Sequence, residues 1–429
     1  MTYVCTLNAS HDEIVTALSQ NQQVKPITEI PDSNVAAYIM DCKGETQLPH
    51  LNTHFNRPVI LINAENLEMM EDSPLCIPSR AMIYHQKQNY SILEVLDKPV
   101  ESTAGELYKC SVLRENEQKN TILYSKEDAK QKNNCSIWNA EQLAGLIEEA
   151  IDPEHCSKLF QEIEEKQDLP VNLPVDQYNI QYVKIATTIS AIDGSSQNAV
   201  NEMLMCVSLI ASFNPNCKYL QISTYGAGFN PGDLAADGKY DRRYFHHDIT
   251  TQIHCLDSAL TTYATEPKNI NGVTSYTEST SFNVGVDISK NPGFQAGYTI
   301  SHSSTTNVQD FMVINNSSGR SADWEFRLGM TYNSMWDMFK EPTLRKGQVK
   351  SLPVLAKTNA QPYSDAIFLA NGDYNGVVSL QLAWHAQYCH AWVTGDWVEF
   401  TKWYHLYSYG FGYWEGNNPW KINFNCVHA

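Results

Sequence analysis

The sequence lacks any run of 18 consecutive apolar residues, which excludes a transmembrane helix. Strands closed into a barrel are then the remaining way across a bilayer. Positive charge is also scarce: 30 Lys and Arg face 48 Asp and Glu, a net charge of −18. A nucleic-acid partner would want a basic face, so that class is excluded. Adhesion to anionic lipid by charge alone is excluded as well. The 11 cysteines include no C-x-x-C, which argues against a zinc site. Their odd number and irregular spacing also argue against a full disulfide framework. Cys206 and Cys217 are the closest pair in sequence and the candidate bridge. H-E-x-x-H, Walker A and G-x-S-x-G motifs are missing. Residues 1 to 10 carry no basic stretch followed by an apolar run, so no signal peptide is read there.

Hydrophobic residues make up 42% and charged residues 18%, the balance of a folded globular chain. The length of 429 residues suits two or three domains. Residues 1 to 170 read as mixed α/β. Apolar runs at Val59, Ile60, Leu61 and Ile62 and at Ile92, Leu93 and Val95 suggest strands. Leu143, Leu146, Ile147 and Ile151 have helical spacing behind Asn139 as N-cap. Leu159, Phe160 and Ile163 mark a second helix. Residues 115 to 134 are polar and lysine-rich and read as an exposed loop. Pro170 and Pro174 mark a linker. Beyond it, short strand-like segments alternate with Gly, Asn, Pro and Asp turns, and 23 Tyr and 9 Trp add β preference. The expected class is mainly β, with a small α/β domain in front.

Residues 274 to 310 hold the most informative pattern. Phe282, Val284, Val286 and Ile288 alternate with Ser279, Ser281, Asn283, Gly285 and Asp287. A turn follows at Ser289-Lys290-Asn291-Pro292-Gly293. On the return, Phe294, Ala296, Tyr298 and Ile300 alternate with Gln295, Gly297, Thr299 and Ser301. Pairing Ile288 with Phe294 brings Val286 to Ala296, Val284 to Tyr298 and Phe282 to Ile300, so both apolar sets share one face. The other face is nearly all Ser, Thr, Asn and Gly. A strand pair of this kind suits a barrel with lipid outside and water inside. An ordinary hairpin packed on a core alternates too. The nearly uncharged polar face favours the barrel. The clean apolar band runs only from Phe282 to Ile288, against the roughly 9–11 residues of a tilted spanning strand. Glu278 and His302 mark its outer boundary.

From Leu173-Pro174 onward the chain resembles the leukocidin/haemolysin superfamily, and the vibrio-type cytolysins within it. The resemblance rests on ordered motifs: Ala186 to Ser190, Tyr225-Gly226-Ala227-Gly228-Phe229, Arg242-Arg243-Tyr244-Phe245, and Asn307-Val308-Gln309-Asp310-Phe311. It continues in Ala322-Asp323-Trp324-Glu325-Phe326, in Leu352-Pro353 with Pro362, and in Pro419-Trp420-Lys421-Ile422-Asn423-Phe424. It implies a leukocidin-like β-sandwich over 171–429, with a pre-stem hairpin over 274–310. A rim falls at about 330–352 and in part of 384–414, behind a pro-domain-like 1–170. It further implies a secreted protein that binds target-cell membranes, assembles a heptamer-like homo-oligomeric ring and inserts one hairpin per subunit. Phe282, Val284, Val286, Ile288, Phe294, Ala296, Tyr298 and Ile300 would meet lipid. Ser279, Ser281, Asn283, Asp287, Gln295, Thr299 and Ser301 would line the lumen. Trp336, Met338, Phe339, Trp392 and Trp397 are the rim candidates, since aromatics favour the membrane interface. The implied partners are the lipid bilayer and a lipid or glycan receptor. A protease cutting the loop at 119–132 or the linker is the candidate activator. No catalysis, metal or cofactor is expected. Phe245-His246-His247-Asp248 reads as a surface or interface strand, not a metal site. The rival function is a non-lytic membrane- or receptor-binding protein on the same fold. A β-sandwich hydrolase is the second rival, weakened by the missing nucleophile and metal motifs.

Overall fold

The computed structural model describes residues 3–8, 12–26, 34–48, 51, 57–71, 73–87, 90–96, 101–102, 106–115, 119–128, 139–166, 177–190, 198–229, 238–269, 274–277, 286–287, 295–296, 305–308, 312–327, 339–340, 348–351, 363–395, 401–414 and 419–428. Among the described residues strands dominate, and the three α-helices all fall before residue 170: α1 (Glu13–Leu18), α2 (Ala140–Ala150) and α3 (Pro153–Lys166). The mainly-β expectation therefore holds. Asn139 caps α2 as its sequence position implies. Its Oδ1 accepts from the Gln142 amide at 2.8 Å, and the Gln142 side chain accepts from the Asn139 amide at 3.0 Å.

Two large sheets face each other. The first has 11 strands, in the spatial order Thr261–Glu266, Tyr363–Asn371, Asn216–Phe229, Asn198–Phe213, Gln177–Ser190, Ser91–Val95, Ser79–Gln86, Val59–Ala64, Val35–Asp41, Tyr3–Thr6 and Val24–Pro26. The second is built on Asp241–Cys255, Val377–Gly395 and Thr401–Trp414, flanked by Ser321–Arg327 and Met312–Asn315. Alternation decides which side chains meet. Val183, Ile185, Leu220, Ile222 and Phe368 of the first sheet share one core with Ile249, Ile253, Trp324, Leu382, Trp384 and Tyr388 of the second. The helices cover the opposite face of the first sheet. Leu143 and Ile147 of α2 pack with Ile60, Ile62 and Ile83, while Leu159 and Ile163 of α3 pack with Ile92, Tyr182 and Leu204. Trp324 and Trp420 are fully buried. Truncating such a ring to alanine costs about 3–5 kcal/mol.

α3 is tied down by charge as well. Glu94 is buried beneath it and meets His85 Nε2 at 2.7 Å and His155 Nε2, from α3, at 3.0 Å. Burial alone would raise the Glu94 carboxyl. The two histidine hydrogen bonds outweigh it and hold the group down at about 2.

Two expectations are corrected. The segment at 115–134 is not a loop over its length: Glu106–Glu115 and Lys119–Asp128 form a hairpin whose first strand pairs with Thr401–Trp414. Lys119 and Lys126 fall on its second strand, at the edge of the second sheet, where charge discourages stray strand pairing; residues 129–134 lie outside the described residues. That lysine content is what made the sequence look like a loop. Cys206 and Cys217 are not bridged; both are free and buried. In the ladder Cys217 faces Ser212 and Cys206 faces Ser223, which sets them about 20 Å apart along the strands. A disulfide needs Cα atoms within about 7 Å.

The boundary near residue 170 does not interrupt hydrogen bonding. Ser91–Val95 pairs in parallel with Gln177–Ser190, Leu75 and Cys76 pair with Ile422 and Lys421, and residues 106–113 pair with 401–408. The shared core also draws on both halves. A protease cut confined to 167–176 should therefore leave a nicked but undissociated protein. Native size exclusion should show both fragments in one peak, parting only in denaturant. Fragments that separate without denaturant would contradict this.

Candidate functional site

The hairpin at 274–310 springs from the edge of the first sheet and returns into the edge of the second. Its outgoing arm leaves Thr261–Glu266, and its return arm enters Met312–Asn315. Two stretches of its ladder are described. Near the root, Thr274 pairs with Val308, Ser275 with Asn307, Tyr276 with Thr306 and Thr277 with Thr305. Near the tip, Val286 pairs with Ala296 and Asp287 with Gln295. The tip pairing is the register that the apolar pattern demands. From one ladder to the other, the outgoing arm advances nine residues, Thr277 to Val286. The return arm recedes nine, Thr305 to Ala296. The two ladders are thus in one register, with no net insertion between them. Cross-strand partners share a face. In the root ladder Thr274, Tyr276, Thr306 and Val308 share one face and Ser275, Thr277, Thr305 and Asn307 the other, all polar. In the tip ladder Val286 and Ala296 share one face and Asp287 and Gln295, both polar, the other. The remaining hairpin positions, including Phe282, Val284, Ile288, Phe294, Tyr298 and Ile300, and Ser279, Ser281, Asn283, Thr299 and Ser301, lie outside the described residues.

The hairpin is folded back. Twenty residues separate Glu266 from Val286, a reach of up to about 70 Å when extended. The tip instead lies beside Thr261–Glu266, the strand from which its own arm departs.

The root is a compact polar knot that the sequence did not reveal. Asn315 donates its backbone N–H to Asn269 Oδ1 at 2.6 Å. Its side-chain Nδ2 donates to the Pro267 carbonyl at 2.8 Å and to Thr265 Oγ1 at 3.2 Å. Its Oδ1 accepts from the Ser317 amide at 3.0 Å. The Pro267 carbonyl takes a second donor, Trp324 Nε1, at 3.1 Å. A buried indole N–H needs such a partner. Trp324 belongs to a motif read from sequence, but its partner is a carbonyl 57 residues away and leaves no mark in the pattern.

Beside the root, Asp365 is fully buried on the strand next to Glu266, its ladder partner. It accepts from Gln221 Nε2 at 2.9 Å and Ser223 Oγ at 2.9 Å. Burial pushes its carboxyl up to about 7, against the opposing pull of those two donors.

The rim candidates divide. Phe339 is buried at 2% exposure on a short ladder with Val349, so in this conformation it cannot touch lipid. Its burial has a local cause: Arg242 donates to the Val349 and Lys350 carbonyls at 3.3 and 3.2 Å and holds that ladder against the body. Trp392 is half-buried, 4.5 Å from the His390 ring, which bonds Asp241 at 2.8 Å. Exposed Tyr240 sits alongside, its carbonyl accepting from Val393. Trp336, Met338 and Trp397 lie outside the described residues. At the His246-His247-Asp248 strand, His247 Nδ1 meets Asp248 at 2.6 Å. Among the described residues no cluster able to hold a metal occurs, and no helix is long and apolar enough to cross a membrane, which says nothing of strands.

No family model matches the chain, and no curated protein matches it. Among solved structures, a chain described as a pore forming protein aligns with a TM-score of 0.31 at 12% identity, covering 56% of this chain and 97% of that one. A likeness of that size fixes neither fold nor activity.

The raised Asp365 carboxyl generates a pH dependence. An acid whose folded pKa lies above its unfolded value stabilises the fold fully below the ordinary Asp range. That contribution is lost as pH rises through about 7. Denaturant unfolding should show stability falling by roughly 1.4 kcal/mol between pH 6 and 8.5. Asp365→Asn should remove most of that slope; an unchanged slope would contradict the assignment.

Proposed function

We propose that this chain is a pore-forming cytolysin: secreted, bound to target-cell membranes through a lipid or glycan, and assembled there into a homo-oligomeric ring. Each subunit contributes the 274–310 hairpin to a shared transmembrane barrel. The observation that carries the reading is the common register of the two hairpin ladders, which leaves one face wholly polar at every described position. A barrel wall needs that separation over its full height.

The folded-back tip supports the same reading. A hairpin resting beside its own edge strand is close to the body in solution and has length in reserve. A single inserted hairpin would leave two unpaired edges in hydrocarbon, which is too costly. Insertion is therefore coupled to assembly. The N-terminal half shares both sheets with the body, so in this reading it stays in place and a protease cut only loosens it. No catalysis is assigned.

The short apolar band matters here. Seven residues from Phe282 to Ile288 span roughly 23 Å of strand, or about 18 Å of bilayer depth at a barrel tilt near 40°. The hydrocarbon core is about 30 Å thick. In this register Thr280 and His302 then sit at the band's margin, and thinner bilayers suit the barrel better. The same shortness favours the alternative, a non-lytic membrane- or receptor-binding protein on this fold.

Dye release from phosphatidylcholine vesicles, alone and with cholesterol and glycolipid, separates the two. The wild type should leak and form rings. Val286→Arg places a charge on the lipid face at a cost of about 2–4 kcal/mol per subunit near the midplane. It should cut leakage at least tenfold while leaving membrane binding intact. Binding without leakage or rings in the wild type, on these vesicles and on cell ghosts alike, would favour the non-lytic alternative.

A further inference from the structure

We infer that Asn315 is the fixed pivot of the hairpin: the Asn315–Pro267–Thr265 knot stays closed while everything beyond it moves. The inference rests on the pore-forming reading and adds to it the residues that do not move.

The geometry points to this in three ways. First, the knot is in register with the ladder. Pro267 precedes Thr274 by seven residues, and Asn315 follows Val308 by seven. The Nδ2 to Pro267 carbonyl bond therefore joins the two residues that would face each other if the ladder ran on to the root. Pro267 has no N–H to offer a ladder, and the Asn315 amide supplies a donor from the other side.

Second, the knot is anchored to both sheets. Thr265 belongs to the edge strand of the first, and Asn315 and Trp324 belong to the second. Trp324 is fully buried and holds the same carbonyl, so one acceptor is gripped by two donors from adjacent strands. Asn315 spends its N–H, its Nδ2 and its Oδ1 on this junction.

Third, the last described residues before the hairpin ladder are tied to the root. Lys268 closes back on Thr265 and Glu266 through its Nζ at 2.6 Å and its amide at 3.0 Å. Asn269, the last described residue before the ladder, accepts from the Asn315 amide. A pivot at this point sets the two arms at a fixed separation and stagger. The ladder can then swing as a unit without slipping, and a slip of one residue would put the polar face into lipid.

The test uses the full-length protein at equal amounts bound to phosphatidylcholine–cholesterol–glycolipid vesicles. Three forms are compared with the wild type: Asn315→Ala, and the double variant Thr265→Cys with Asn315→Cys, reduced or oxidised. The oxidised pair replaces the 3.2 Å side-chain contact with a covalent one. Asn315→Ala and the reduced pair should leak about tenfold more slowly, from the loss of the three hydrogen bonds of the Asn315 side chain, with vesicle binding unchanged. The oxidised pair should regain at least half the wild-type rate, because a closed root is compatible with insertion. An oxidised pair that is silent until reduced would overturn the pivot, since the root would then have to open. Wild-type rates in all forms would overturn it too. A wild type that does not leak removes the pore-forming reading itself, which is a separate result from either. Should Asn315→Ala fail to fold, the comparison of oxidised with reduced pair decides alone.

Discussion

Every backbone N–H and C=O taken out of water needs a partner, and hydrocarbon enforces that rule more strictly than a protein core does. The 274–310 hairpin meets it only if its ladder holds a single register, because each residue of slip exchanges the polar face for the apolar one. The described ladders hold that register at both ends. The two-sheet body serves the same end. It plants one arm at the margin of each sheet and joins the arms through Asn315, Pro267 and Trp324.

Much of this was legible in the sequence, for identifiable reasons. Period-two alternation around a Pro-Gly turn gave the hairpin, and matching the two apolar sets gave the pairing of Val286 with Ala296. Asn139 with Gln142 is a local signal, and the cap forms where it falls. What stayed hidden was non-local. The knot at Asn315 joins residues 46 to 57 positions apart in sequence. Asp365 looks like any surface aspartate until the strand carrying Gln221 and Ser223 is laid beside it. Lysines on Lys119–Asp128 read as loop because charge signals exposure, and an edge strand is also exposed. Phe339 read as a membrane-facing ring because aromaticity alone does not tell a buried ring from an interfacial one.

The N-terminal half shows the limit of reasoning from a linker. Prolines at 170 and 174 and a change of composition suggest a detachable domain. Backbone pairing does not follow composition. Four ladders among the described residues and a shared core cross that boundary, so the halves are interdependent. Whatever restrains the hairpin in solution therefore acts through a continuous body, with a titratable carboxyl at Asp365 one strand from the root.

The central claim is that the two faces of the hairpin part between lipid and water. An environment-sensitive fluorophore on single cysteines, placed in turn from 282 to 288 and from 294 to 300, tests it most directly. On vesicles, even-numbered positions should shift to the blue and resist an aqueous quencher, while odd-numbered positions should stay quenchable. A signal with no two-residue period, or one with the opposite parity, would contradict the account.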